Sequence, residues 1–264
     1  MSLTRNLLAL AAALLCAASA FAAEPQPLRV LSYNIHHGEG MDHKIDLPRL
    51  AGVIKSVSPD LVLLQEVDRN VKRSGEVDQI AELAKLTGMQ FAFGGNLSLG
   101  DGKYGNAILS RFPLEDVENH LLPNGEGGEQ RGVLSAVVKL PESLGGVQCR
   151  VLATHLDHRP GDADRLASVD AIAKWLGEED RLVILGGDFN ATPESEVLKK
   201  FREWWTPAGT QETPTIPVAK PTRQIDFVGY RYGETIKVGE AVVLDEPVAS
   251  DHRPILATFF LKAE

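Results

Sequence analysis

Apolar positions in this chain fall in short, nearly unbroken runs, separated by turn-forming residues and by stretches with helical spacing. LRVLSYNI (28–35) and DLVLLQEV (60–67) read as strands, the second buried behind Ser58-Pro59. Between them DLPRLAGVIKSV (46–57) has helical spacing, with Asp46 as N-cap and Pro48 in the first turn. EVDQIAELAKLTG (76–88) reads as a helix closed by Gly88. MQFAFGG, GNAILS, GVLSAVVKL and VQCRVLATH follow as strands, with Cys149 an ordinary small apolar strand residue. The second half repeats the scheme. A helix over 162–177 precedes a buried strand, RLVILGGDF (181–189), and TPESEVLKKFREWW predicts a helix with Thr192 as N-cap and Pro193 at its first position. IDFVGYR, IKVGEAVVL and RPILATFFL close the chain as strands. No repeat, long charge run or low-complexity linker interrupts residues 23–264, so one domain is expected there, with strands packed against helices.

The polar residues at the ends of these runs carry the chemistry. Asn34 ends the first strand, Glu66 the second buried one, and His155 the strand LATH; Asp188 and Asn190 follow LVILGG. Asp226 sits in RQIDFVG, and Asp251 with His252 precedes the last strand. Each has an ordinary explanation alone: a turn, a cap, a surface ion pair, a hydrogen-bonded histidine. Unpaired polar groups are costly at buried strand ends, and their repetition favours one shared site over separate accidents. Adjacent residues within a strand point to opposite faces, so Asp251 and His252 serve one site only from a loop.

The segments LSYNI, LLQEV, GNAILS, THL, GGDFN, QIDFV and SDHRP, in this order, resemble the endonuclease/exonuclease/phosphatase (DNase I-like) superfamily over nearly the whole of residues 29–261. The resemblance implies an α/β fold, a four-layer α/β/β/α sandwich of two stacked mixed sheets, with the active site at one edge. Position by position it implies Glu66 as the main metal ligand, helped by Asn34 and Asp251. Hard oxygen ligands suit Mg²⁺, with Mn²⁺ as a substitute. It further implies His252 oriented by Asp226, Asn190 holding phosphate, and His155 donating to a phosphoryl oxygen, with Asp188 and His252 as the two candidate bases. One departure concerns His36, which stands where the abasic-site endonucleases of the superfamily carry an acidic metal-site residue. That leaves His36 to touch substrate, bind a softer metal or lie at the rim. Arg73 and Arg131 are further candidates for substrate contact, since guanidinium groups suit phosphate.

Composition narrows the setting. Residues 1–22 carry one Arg, an apolar stretch and small residues at Ala20 and Ala22, the pattern of a cleaved signal peptide. A periplasmic or secreted protein with no stable membrane anchor is expected. The apolar stretch is short for a span of about 20 residues. Cleavage removes Cys16 and leaves Cys149 without an intramolecular partner. The net charge of −9 becomes more negative when Arg5 is lost. Nonspecific nucleic-acid binding needs a positive face, so a nuclease is not favoured. The expectation is therefore an exported Mg²⁺-dependent phosphoesterase, acting as a monomer on a small or lipid-linked phosphoester. The alternatives are a secreted DNase I-like nuclease and a noncatalytic binding module.

Overall fold

The computed structural model describes residues 26–209, 213–231 and 236–261; the expected signal peptide lies outside them. The first half contains β1 (Leu28–Asn34), α1 (Leu47–Ser56), β2 (Leu61–Arg69), α2 (Gln79–Thr87), β3 (Gln90–Leu99), β4 (Gly102–Ser110), β5 (Glu115–Leu121) and β6 (Gly132–Lys139). The second half contains β7 (Gln148–His155), α3 (Ala163–Leu176), β8 (Leu182–Asp188), α4 (Glu196–Arg202), β9 (Thr206–Pro207), β10 (Asp226–Arg231), β11 (Ile236–Val243) and β12 (Ile255–Leu261). They form two six-stranded sheets, ordered β11-β12-β1-β2-β4-β3 and β5-β6-β7-β8-β10-β9. Each sheet is built around one parallel pair joined across a helix, β1–α1–β2 and β7–α3–β8; the other pairings are antiparallel.

Side-chain alternation divides the interior into three apolar layers. Leu28 and Val30, Leu61 and Leu63, Val151 and Ala153, and Leu182 and Ile184 face the space between the sheets. Their sequence neighbours Leu31 and Tyr33, and Val62 and Leu64, face outward to α1 and α2. Leu152, Val183 and Leu185 face α3 and α4. The result is the expected α/β/β/α sandwich of mixed sheets. Cys149 is buried in the inter-sheet layer, as its strand position predicts.

Local signals set most boundaries. Asp46 caps α1 by accepting the Arg49 backbone N–H, and Gly88 closes α2 in the left-handed region. One expectation is corrected, and one strand was not foreseen. The last helix begins later than Thr192-Pro193: Ser195 is its N-cap, its hydroxyl accepting from Leu198 N, and residues 192–195 form a turn. Strand β5 escapes the sequence pattern because EDVENHL is exposed almost throughout and has no buried face to show a period. It lies at the edge of its sheet.

Candidate active site

The parallel pairs decide where the site forms. Asn34 ends β1 and pairs with Gln65 of β2; His155 ends β7 and pairs with Asp188 at the end of β8. Asn34, His155 and Asp188 keep the parity of the inter-sheet core, so beyond the apolar layer they face the gap between the sheets. Asp226, first residue of β10, pairs directly with Asp188. The loop 250–254 brings Asp251 and His252 to the same edge before β12 starts.

Glu66 has the wrong parity, since Val62 and Leu64 point to the helices. A bulge corrects it. The register of β2 against β4 shifts between Leu64 and Val67, and Glu66 takes φ 60°. An extra residue at a bulge re-aims a side chain, and here it turns the carboxylate into the cleft. Asn190, His36 and His37 also hold positive φ, at 49°, 47° and 43°. Such strain in residues other than glycine concentrates at functional sites.

These side chains surround a cleft of about 350 Å³. Glu66, Asp188, Asn190, His155, Asp251 and His252 line it, and so do Arg73, Arg131 and His36. Asn34 lies buried beneath: its Nδ2 donates to Glu66 Oε1 at 3.0 Å and to Asp188 Oδ2 at 3.1 Å. Its Oδ1 accepts the His36 backbone N–H at 3.0 Å, so its amide ties the two carboxylates together. Asp226 lies behind His252, its Oδ2 2.9 Å from Nδ1 and also taking the Thr215 hydroxyl. Asp188 Oδ1 accepts the Asn190 backbone N–H at 2.9 Å. The Asn190 amide lies 3.0 Å from His155 Nε2.

Electrostatics follow from burial and charge. Burial favours the neutral acid of Asp188, and the Asp226 charge adds to that effect, so its carboxyl is pushed above the ordinary range. Burial opposes charge on His252, but Asp226 and Asp188 outweigh it and push the imidazole up. Burial, then Arg131, holds His155 well below its ordinary value.

Two places offer ligand atoms to a cation. Asp188, Asp226 and His252 bring three such atoms within 4.8 Å of one another, although the imidazole there already supplies positive charge between two carboxylates. In the same cleft, Glu66 and Asp251 are partly exposed hard-oxygen donors, and Glu66 spends one oxygen on Asn34. This second donor set fits a hard divalent ion with room for water and substrate oxygens.

Strand ends did not mark every lining residue. Leu97 and Leu99 of β3 and Tyr104 of β4 form an apolar wall, and Glu129 and His158 flank Arg131. His158 follows His155 by three residues, the one sequence signal that pointed to it.

Comparison with known proteins decides the family. The family model described as "Endonuclease/Exonuclease/phosphatase family" matches residues 31–252. The chain belongs to this family. It is a metal-dependent hydrolase of phosphoester bonds. The chain is 30% identical over 248 residues to "Uncharacterized protein YbhP" of Escherichia coli K12, covering 88% of this chain and 96% of that protein. It is 28% identical over 190 residues to a "5'-tyrosyl-DNA phosphodiesterase" of Caenorhabditis elegans, covering 69% of this chain and 48% of that protein. The chain thus spans about half the length of that relative. An endonuclease/exonuclease/phosphatase structure from Beutenbergia cavernae superposes with TM-score 0.74 at 26% identity, over 89% of this chain and 72% of that one.

Proposed function

We propose that this protein is an exported, Mg²⁺-dependent phosphoesterase that cleaves a small or lipid-linked phosphate ester by attack of water. The observation carrying the reading is the shared cleft, in which the carboxylates of Glu66, Asp251 and Asp188 are gathered with the imidazoles of His252 and His155. Glu66 and Asp251 would hold the cation, which when bound supplies positive charge against the phosphoryl oxygens. Asn34 fixes the Glu66 carboxylate through its amide. Asp188, anchored by Asn34 and the Asn190 backbone N–H, orients the attacking water and takes its proton. His252, its Nδ1 tied to Asp226, turns Nε2 toward a phosphoryl oxygen, and His155 and Asn190 hold another. Mn²⁺ serves as a substitute ion. The reading puts the mature protein in the periplasm or medium, on the strength of residues 1–22.

The charge of the cleft supports a small or lipid-linked substrate over nucleic acid. Both cleft arginines are matched by carboxylates: Arg73 makes a two-pronged contact with Asp68 at 2.9 Å, and Arg131 lies 3.0 Å from Glu129. Neither gives the uncompensated positive track that a polyanion needs. The wall of Leu97, Leu99 and Tyr104 suits an apolar portion of the ester. The similarity to the C. elegans phosphodiesterase favours the nuclease alternative. A panel of phosphodiesters, inositol phosphates, phospholipids, plasmid DNA and RNA, run with Mg²⁺ and with chelator, separates the readings. Chelator-sensitive release from the small or lipid esters, with DNA and RNA intact, is expected. Preferential digestion of nucleic acid would select the nuclease, and no metal-dependent turnover of any substrate would sink both.

A further inference from the structure

Asp68 of β2 is a fully buried carboxylate built around one guanidinium. Its Oδ2 accepts from Arg73 Nε and its Oδ1 from Arg73 Nη2, both at 2.9 Å. Oδ2 also accepts the Ser74 hydroxyl at 2.9 Å, so the turn Lys72–Ser74 that carries Arg73 hangs on the same group. Tyr104 of β4 stands opposite Asp68 in the sheet, and the Arg73 guanidinium lies 5.2 Å from the centre of its ring. A buried carboxylate requires such pairing, and a two-pronged contact fixes the plane of the guanidinium. The fork spends Nε and Nη2 on Asp68. A planar guanidinium then turns its remaining nitrogen, Nη1, away from the buried carboxylate. Among the described residues nothing accepts from Nη1. The Arg73 side chain is 42% exposed and lines the cleft, close enough to Glu66 for the two charges to act on each other.

We infer that Arg73 is a specificity-determining residue whose Nη1 donates to a third phosphoryl oxygen, so that the cleft selects phosphate monoesters over diesters. The inference rests on the phosphoester reading of the same cleft and names its substrate class. In that reading His252 serves one phosphoryl oxygen, and His155 with Asn190 serves another. A monoester has a third non-bridging oxygen and carries a charge of roughly −1.5 to −2 at pH 7. In a diester that third oxygen is esterified, uncharged and burdened with a second carbon arm. A fixed donor at this place therefore rewards the monoester and gains little from the diester. Asp68 balances the charge of Arg73, so the contact is a directed hydrogen bond and not a general attraction for polyanions. Through Tyr104 it also adjoins the apolar wall, where the carbon portion of the ester begins. In the reaction, water adds to phosphorus and the bond to the alcohol oxygen breaks. One water proton ends on the alcohol, and the remaining hydroxyl supplies the fourth oxygen of inorganic phosphate.

Turnover of para-nitrophenyl phosphate and of bis-para-nitrophenyl phosphate by the full mature chain with Mg²⁺ compares the two classes. The wild type is expected to favour the monoester in kcat/KM. A wild type that cleaves the diester and not the monoester overturns the inference and needs no variant to fold. Arg73→Gln combined with Asp68→Asn exchanges the ion pair for a neutral pair and leaves no buried carboxylate unmatched. It should lower kcat/KM on the monoester by about 10–10²-fold, the worth of one charge-assisted hydrogen bond, and on the diester by less than about 3-fold. Equal losses on both esters overturn the inference, since general damage to the cleft touches both alike. Calorimetry with inorganic phosphate and with dimethyl phosphate gives a second readout, independent of turnover. The wild type should bind phosphate at least about tenfold more tightly, and the double variant should narrow that gap. Turnover of neither ester overturns the phosphoester reading. Phosphate binding that still weakens in the double variant would then uphold the Arg73 contact, and unchanged phosphate binding would overturn it as well.

Discussion

Oδ2 of Asp226 lies 2.9 Å from Nδ1 of His252, and the two residues belong to different sheets. Asp226 opens β10, directly opposite Asp188 in one sheet, while His252 precedes β12 in the other. The pair therefore forms only when the two sheets stack in register. The inter-sheet core, from Val30 and Leu63 to Val151 and Ile184, is what holds the acid–base geometry.

Asp226→Asn tests that pair with almost no change in shape. The substituted amide removes the charge that favours a protonated imidazole and makes the contact with Nδ1 depend on tautomer. Turnover is expected to fall by about 10²–10⁴-fold, the usual range for a lost acid–base group. Circular dichroism should match the wild type. Full activity in a folded variant would remove Asp226 from the site.

Glu66→Gln keeps the side-chain oxygen that accepts from Asn34 Nδ2 and deletes only the charge. Binding of Mn²⁺, followed by calorimetry, should be lost or greatly weakened, and metal-dependent turnover with it. Unchanged Mn²⁺ affinity would move the cation to the cluster of Asp188, Asp226 and His252.

The backbone at Glu66 makes a separate prediction about stability. At φ 60° a residue with a Cβ is strained by about 1–2 kcal/mol, and glycine is not. Glu66→Gly should therefore melt above Glu66→Ala, the reverse of the order expected at a regular strand position. Equal or reversed melting temperatures would show that the bulge carries no such strain.

How much of this was legible in the sequence depends on the kind of signal. Asn34, His155 and Asp188 could be read because apolar runs stop at them, and strand parity carries them into the cleft. The unbroken apolar run makes β2 readable, but strand parity would send Glu66 to the helices, and only the bulge, invisible in a period of two, brings it back. Arg131 read as a charged residue before a strand, with nothing to show that its guanidinium would be buried between two imidazoles. Leu97, Leu99 and Tyr104 belong to strands whose apolar residues look like core, and their place on a wall is set by the pairing of β3 with β4.

Gly187 reports on the approach of the parallel pair. A Cβ there would lie 2.2 Å from the carbonyl oxygen of Thr154, a backbone atom that cannot swing aside. Gly187→Ala should cost about 1–3 kcal/mol in urea denaturation, as overpacking does. It should also lower turnover, because Asp188 is the next residue. A neutral effect on both would mean that β7 and β8 separate freely.

The last prediction lies away from the cleft, where one carboxylate joins two arginines. Glu179 Oε2 accepts from Arg150 Nε at 2.7 Å, and Oε1 accepts from Arg181 Nε at 2.7 Å. Arg150 also donates to Ser135 Oγ and lies over the Trp175 ring, so the contact ties the segment after α3 to β6 and β7. Burial works against the charged carboxylate, but the bonds from Arg181 and Arg150 outweigh it and hold the pKa down at about 2. A depressed acid contributes stability that is fully present above its unfolded pKa and is lost as pH falls through its folded value. Glu179→Gln should therefore be less stable than the wild type by roughly 2–3 kcal/mol at pH 7. That gap should narrow as the pH drops from about 5 toward 2. Urea unfolding of both proteins across that range reads the gap directly, and a difference that stays constant with pH would show that packing, and not the charge, is what Glu179 contributes.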